Sequence, residues 1–124
     1  MKKTVLALAL GLLAWHANAQ NSCATAVPLV MGNYYISQID GSEVPEPVCS
    51  TGGDMATAGE WYAYTATMDT AITVTTDLPQ NNGLDTRIQV YIGSCGSLIC
   101  YAGDDDSGTG YSSTITFDVV AGTT

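Results

Sequence analysis

Two segments in the last third of the chain alternate apolar and polar residues with a period of two. In the first, Ile88, Val90 and Ile92 share one parity, while Gln89 and Tyr91 share the other. In the second, Ile115, Phe117 and Val119 alternate with Thr114, Thr116 and Asp118. A β-strand points successive side chains to opposite faces, so each segment presents one apolar and one mostly wet face. That is the pattern of antiparallel sheets packed face to face, not of a parallel sheet buried on both sides. Earlier segments at 26–31, 33–39, 60–67 and 70–76 read as further short strands, with Ile72 and Val74 inward in the last. Turn chemistry separates them: Pro79 and Asn82-Gly83 lie between 77 and 85. The stretch 40–59, with Pro45, Pro47 and Gly52-Gly53, reads as a long loop. The spacing predicts an all-β fold, an antiparallel β-sandwich.

The N-terminus reads as an export signal. Lys2 and Lys3 precede an apolar run from Val5 to Trp15, and Ala17-Asn18-Ala19 is an A-x-A cleavage site. The run is too short for a stable transmembrane helix. Cleavage before Gln20 leaves residues 20–124 as one domain of a size that buries a core. Arg87 is then the only cation against twelve acids, a balance of −11, and the single histidine, His16, leaves with the signal. Such a surface disfavours nucleic acid and anionic lipid, which need basic patches. No later segment is apolar and long enough to span a membrane, so the product is expected to be secreted or displayed at the cell surface.

Four cysteines in an exported chain point to disulfides. A zinc site is disfavoured, since the CxxC spacing and a partner histidine are both missing. Of three possible pairings, the local spacing favours Cys95–Cys100, closing a tight loop, and Cys23–Cys49.

A resemblance follows from several short motifs. Asp85-Thr86 enters an apolar strand, and Val90-Tyr91, Asp104-Asp105 with Ser107-Gly108, Ser113 to Phe117, and Ala121-Gly122-Thr123 follow. Upstream stand Cys23-Ala24-Thr25-Ala26 and Trp61-Tyr62 with Tyr64. Together these resemble the bacterial pre-peptidase C-terminal domain, in the form found in large secreted multidomain proteins of Bacteroidetes. The resemblance implies a jelly-roll-like β-sandwich acting as an accessory part of a larger exported protein. In that family an aromatic and a closing strand follow Gly-Thr. The resemblance therefore implies that residues 20–124 lack the last strand or strands, and that a longer chain is more stable.

Asp104, Asp105 and Asp106 are consecutive, with no cation adjacent to them in sequence. Calcium takes six to eight oxygens from carboxylates, carbonyls and water, and the three aspartates, with Asp85 contributing from the start of the strand, are the candidate ligands. In an extended strand Asp105 would face away from its two neighbours; a glycine-flanked turn frees the geometry. The competing reading is a solvated turn whose aspartates accept from main-chain N–H groups. Among the aromatics, Trp61 at a strand start is expected in the core, and Tyr62 and Tyr64 line one face. Tyr91, opposite in parity to the Ile88 set, is the candidate exposed ring for a glycan or other surface ligand.

These readings converge on a non-catalytic secreted module, calcium-stabilised, whose partners are other domains of its parent protein and a glycan or surface ligand. One alternative is a small carboxylate-pair glycosidase. Its size leaves little room for a cleft, and no histidine, lysine or G-x-S-x-G elbow is present in residues 20–124 to serve another hydrolytic chemistry. A second alternative is a purely structural surface or adhesion protein, for which Asp69-Thr70-Ala71 resembles a short O-glycosylation site.

Overall fold

The computed structural model describes residues 20–43, 46–50 and 58–124. The expected export signal at 1–19 and parts of the expected long loop lie outside the described residues. The fold is all-β, with six strands among the described residues: β1 Val27–Leu29, β2 Tyr62–Tyr64, β3 Thr70–Thr75, β4 Ile88–Ser94, β5 Ser97–Asp104 and β6 Thr114–Val119. Single 3₁₀ turns occur at Cys23–Thr25 and at Pro79–Asn81, the latter within the expected Pro79 to Gly83 turn. The strands pair as β1–β2, β3–β6 and β4–β5. The last two pairs are antiparallel, whereas β1 runs parallel to β2, contrary to the purely antiparallel expectation.

Period-two alternation explains the β3–β6 pair directly. Ile72 lies opposite Phe117 and Val74 opposite Ile115, so the apolar residues of both strands share one face. The other face is a threonine surface, on which Thr73 meets Thr116 and Thr75 meets Thr114 through hydroxyl contacts of 2.7 and 2.6 Å. Ile72 is buried as expected, but Val74 remains 40% exposed. Trp61, Ala66 and Ile72 are the buried apolar side chains among the described residues. Ile92, Ile99 and Tyr101 are also substantially exposed, and Tyr101 joins the two antiparallel pairs by meeting Phe117 edge-on at 5.9 Å.

Two sequence expectations fail here. Residues 33–39 form no strand. Conversely, residues 97–104, read as loop and acidic cluster, form the longest strand of the fold. Apolar residues of both parities, Leu98 and Cys100 against Ile99 and Tyr101, hid the strand from a period-two search. Ser94 pairs with Ser97, so Cys95-Gly96 is a two-residue hairpin turn.

That hairpin overturns the expected disulfide pairing. Cys100 lies opposite Tyr91, while Cys95 sits at the tip four residues further along β4. At about 3.3 Å per residue the two lie roughly 13 Å apart along the ladder, well beyond the reach of about 7 Å between bridged Cα atoms. The bridges are Cys23–Cys95 and Cys49–Cys100, with Cα separations of 5.5 and 5.3 Å. Both fasten the β4–β5 hairpin to distant, irregular parts of the chain. The loop around Cys49 is also held by Gln89, whose Oε1 accepts from the Ser50 N–H at 3.0 Å and whose Nε2 donates to the Ser50 hydroxyl at 2.8 Å. Gly103 is needed beneath it: a Cβ there would stand 2.5 Å from the Cys49 and Ser50 main chain.

The bridges span 72 and 51 residues, so on chain-entropy grounds each stabilises by about 4 kcal/mol. Digestion without reduction, followed by mass spectrometry, should recover the peptides Cys23–Cys95 and Cys49–Cys100. Replacing Cys49 and Cys100 together by serine should lower unfolding free energy by about 2–4 kcal/mol in a denaturant titration. Recovery of a Cys95–Cys100 peptide would show that the hairpin register is wrong.

Candidate cation site

The acidic loop follows β5 and is built on a knot of hydroxyl groups. Ser113 is fully buried at the entrance to β6. Its Oγ lies 2.5 Å from the Thr86 carbonyl and 2.6 Å from the Asp105 carbonyl, sharing its proton between them. Its N–H donates to Thr76 Oγ1 at 2.9 Å and Thr86 Oγ1 at 3.1 Å. Its carbonyl accepts from the Thr76 N–H at 2.9 Å. Thr76 and Thr86 hydroxyls meet at 2.6 Å. One residue thus ties together the end of β3, the approach to β4 and the acidic loop. Burying so many polar groups is tolerable because each has a partner.

Asp104, the last residue of β5, faces into this assembly. It accepts from the Thr114 N–H at 2.7 Å, from the Ser107 N–H at 3.1 Å and from the Ser107 hydroxyl. Burial alone would raise its pKa, but hydrogen bonds from Ser107 and Thr114 outweigh burial and hold it below the ordinary carboxylate value. Asp104 is therefore a loop cap, and the expectation that it joins an ion site with its neighbours is corrected. The strand-to-turn transition buries it, leaves Asp105 half-buried against Arg87 and exposes Asp106.

Those two meet Asp85. Carboxylate oxygens of Asp85, Asp105 and Asp106 lie within 4.8 Å of one another at the surface. Arg87 reaches into the group, with Nε donating to Asp105 Oδ1 at 3.0 Å and Nη2 to Asp105 Oδ2 at 2.8 Å. A cation thus stands beside the cluster, although none adjoins it in sequence; Arg87 arrives from the approach to β4 with Asp85. Partial desolvation, then the carboxylates of Asp105 and Asp85, raise the pKa of Asp106, and Arg87 only partly offsets them. Three acids against one guanidinium leave an excess of negative charge. The cluster offers three carboxylates, about half of what calcium needs, with water to complete the shell.

Tyr91 is not an exposed ring. It stacks on Trp61 at 5.7 Å with planes 21° apart, and its hydroxyl donates to the Pro47 carbonyl at 2.9 Å. Burial, and then the nearby Glu46 carboxylate, push its pKa up to about 12. Trp61 is buried, as expected. All four cysteines are disulfide-bonded. Of the residues that position the cluster, Thr86, Ser107 and Ser113 stand in the short motifs noted in the sequence, though nothing there gave them this role, and Thr76 carried no signal.

No family model, curated protein or solved structure matches the chain.

Replacing Asp104 by Asn puts an amide where two main-chain donors converge, and Ser113→Ala strips two buried carbonyls of their donor. Each should cost about 2 kcal/mol in a denaturant titration. The folded-state pKa of Asp104 lies below its unfolded value. Its contribution is therefore fully present above the unfolded carboxylate pKa and is lost as pH falls through the folded one. Wild type and Asp104→Asn should converge in stability on acidification below about pH 4. An undiminished gap there would assign the effect to packing instead.

Proposed function

We propose that the chain is a non-catalytic, exported accessory module of a larger secreted or cell-surface protein, a β-sandwich similar to the pre-peptidase C-terminal domain. We further propose that the Asp85–Asp105–Asp106 cluster takes a calcium ion. The carrying observation is the convergence of three carboxylates on a loop already fixed from below. Asp104 and Ser113 hold the loop through main-chain and carbonyl contacts, so Asp105 and Asp106 are presented on a fixed support rather than on a mobile tip. Calcium prefers hard oxygen donors of this kind, and each carboxylate oxygen of Asp105 retains a lone pair beyond the one that accepts from Arg87. The all-β architecture and two long-range disulfides support an oxidising, extracellular setting. Such a module would contribute spacing and attachment within its parent protein rather than turnover.

Ion binding to the native state alone stabilises by RT ln(1 + [L]/Kd), about 2.7 kcal/mol at a hundredfold excess over Kd. Thermal melts in millimolar calcium and in chelator should differ by several degrees for wild type. Asp106→Asn should do two opposite things. It should raise the melting temperature in chelator, because it removes a carboxylate held among like charges, and it should abolish the calcium shift. An identical wild-type melt with and without calcium would leave the cluster as a surface salt-bridge network only.

A further inference from the structure

We propose that the cleft beside the tip of the β4–β5 hairpin binds a basic side chain, arginine or lysine, presented by a partner polypeptide. The cleft is open to solvent and holds about 500 Å³, the size of an ordinary ligand pocket. One wall carries Glu43, Glu46 and Pro47, and the other is the hairpin turn and the start of β5, with Gly96, Ser97 and Leu98. Both walls are fixed. Glu43 Oε2 accepts from the Cys23 N–H at 2.7 Å, and Cys23 is bridged to Cys95 in the turn. The Glu43 main chain is held as well, its N–H donating to the Asn21 carbonyl at 3.1 Å. Glu46 and Pro47 stand just ahead of Cys49, which is bridged to Cys100 on β5. The Pro47 carbonyl also accepts from the Tyr91 hydroxyl on β4. The two disulfides thus set both walls against one hairpin.

The lining selects the ligand. Arg87, the one cation among the described residues, pairs with Asp105 at the far end of β4, roughly 20 Å away at the usual rise of a strand. The two carboxylates of the cleft therefore have no cationic partner among the described residues. They are too few for a calcium shell of six to eight oxygens. Twelve acids against one arginine in residues 20–124 repel an anion. Among the described residues no aromatic ring lines the cleft, so a sugar finds no face to stack on. Pro47 and Leu98 supply apolar contact instead. A long basic side chain fits this combination, since its methylene stem packs on apolar surface while its head meets carboxylate. Glu43 keeps Oε1 for that head. Glu46 is exposed and accepts no hydrogen bond from the described residues.

A polypeptide is the source that the volume favours. The cleft is larger than one side chain and open to solvent, so residues flanking the basic one enter with it. A free amine would leave most of the space to water. The site goes beyond the accessory-module reading, and no cation at Asp85, Asp105 and Asp106 is required for it.

The test titrates the disulfide-bonded chain with the tripeptide acetyl-Gly-Arg-Gly-amide and follows backbone amide shifts by NMR. Shifts should centre on Gly96, Ser97 and Leu98, saturate with peptide, and weaken as salt is added. The same peptide with citrulline, which keeps the shape of arginine and loses its charge, should bind about tenfold more weakly. Glu46→Gln should weaken the arginine peptide about fivefold while leaving the thermal melt unchanged. Ethylguanidinium, the head without a peptide, should also bind several-fold more weakly. Equal binding of ethylguanidinium would overturn the polypeptide source and leave a free guanidine or amine as the ligand. No shift at Gly96, Ser97 and Leu98 in millimolar peptide would overturn the site itself. So would equal binding of the citrulline peptide, undiminished binding by folded Glu46→Gln, or shifts confined to Asp105 and Asp106.

Discussion

The β4–β5 hairpin is the part of the molecule to which everything irregular is fastened, and the fastening is covalent. With three buried apolar side chains among the described residues, hydrophobic burial supplies little of what a domain of this size needs. The two disulfides act on the other side of the balance, by removing conformations from the unfolded chain. They do so efficiently because each joins segments far apart in sequence. Cys95 at the hairpin tip holds the N-terminal segment, and Cys100 on β5 holds the loop at Cys49. A bridge confined to residues 95–100 would close a much shorter loop and contribute about half as much. Cys49 fastens the segment whose Pro47 carbonyl accepts from the Tyr91 hydroxyl, while the Tyr91 ring stacks on Trp61.

Where apolar burial is thin, buried polar chemistry carries local order. The knot around Ser113 is arranged so that hydroxyls serve as donors to one element and acceptors from another. Such networks specify a single arrangement because any displacement leaves a buried group unpaired. The loop they hold separates two neighbouring aspartates by environment. Asp104, surrounded by donors, is favoured as an anion. Asp106, partly desolvated and beside the carboxylates of Asp105 and Asp85, is held above the ordinary carboxylate value. One sequence run of three identical residues thus yields a cap, an ion-pair partner for Arg87 and an exposed carboxylate.

The sequence disclosed the strands with a clean two-residue period, β4 and β6, and the approximate places of β1, β2 and β3. It failed where period carried no information. β5 has apolar residues on both parities because one face meets the disulfide-bound loop while the other stays open, and a strand of that kind looks like a short core segment or a loop. The disulfide pairing was illegible for the same reason, since it depends on where the hairpin turns. Residues 33–39 show the opposite error. Tyr34 and Ile36 alternate with Tyr35, but the segment is not paired, and Tyr35 is 91% exposed. Of the candidate site, the aspartates were legible from their spacing. The contribution of Arg87 and the withdrawal of Asp104 were not, because both depend on contacts between residues distant in the chain.

Exposed apolar surface and open strand edges normally invite association. Here they coexist with an acidic surface that opposes it. Ile92, Ile99, Tyr101 and Val74 are exposed, and Tyr101 meets Phe117 across the two antiparallel pairs. Residues 20–124 carry twelve acids against one arginine, so bringing two copies together adds like charge to any contact that the exposed apolar side chains could make.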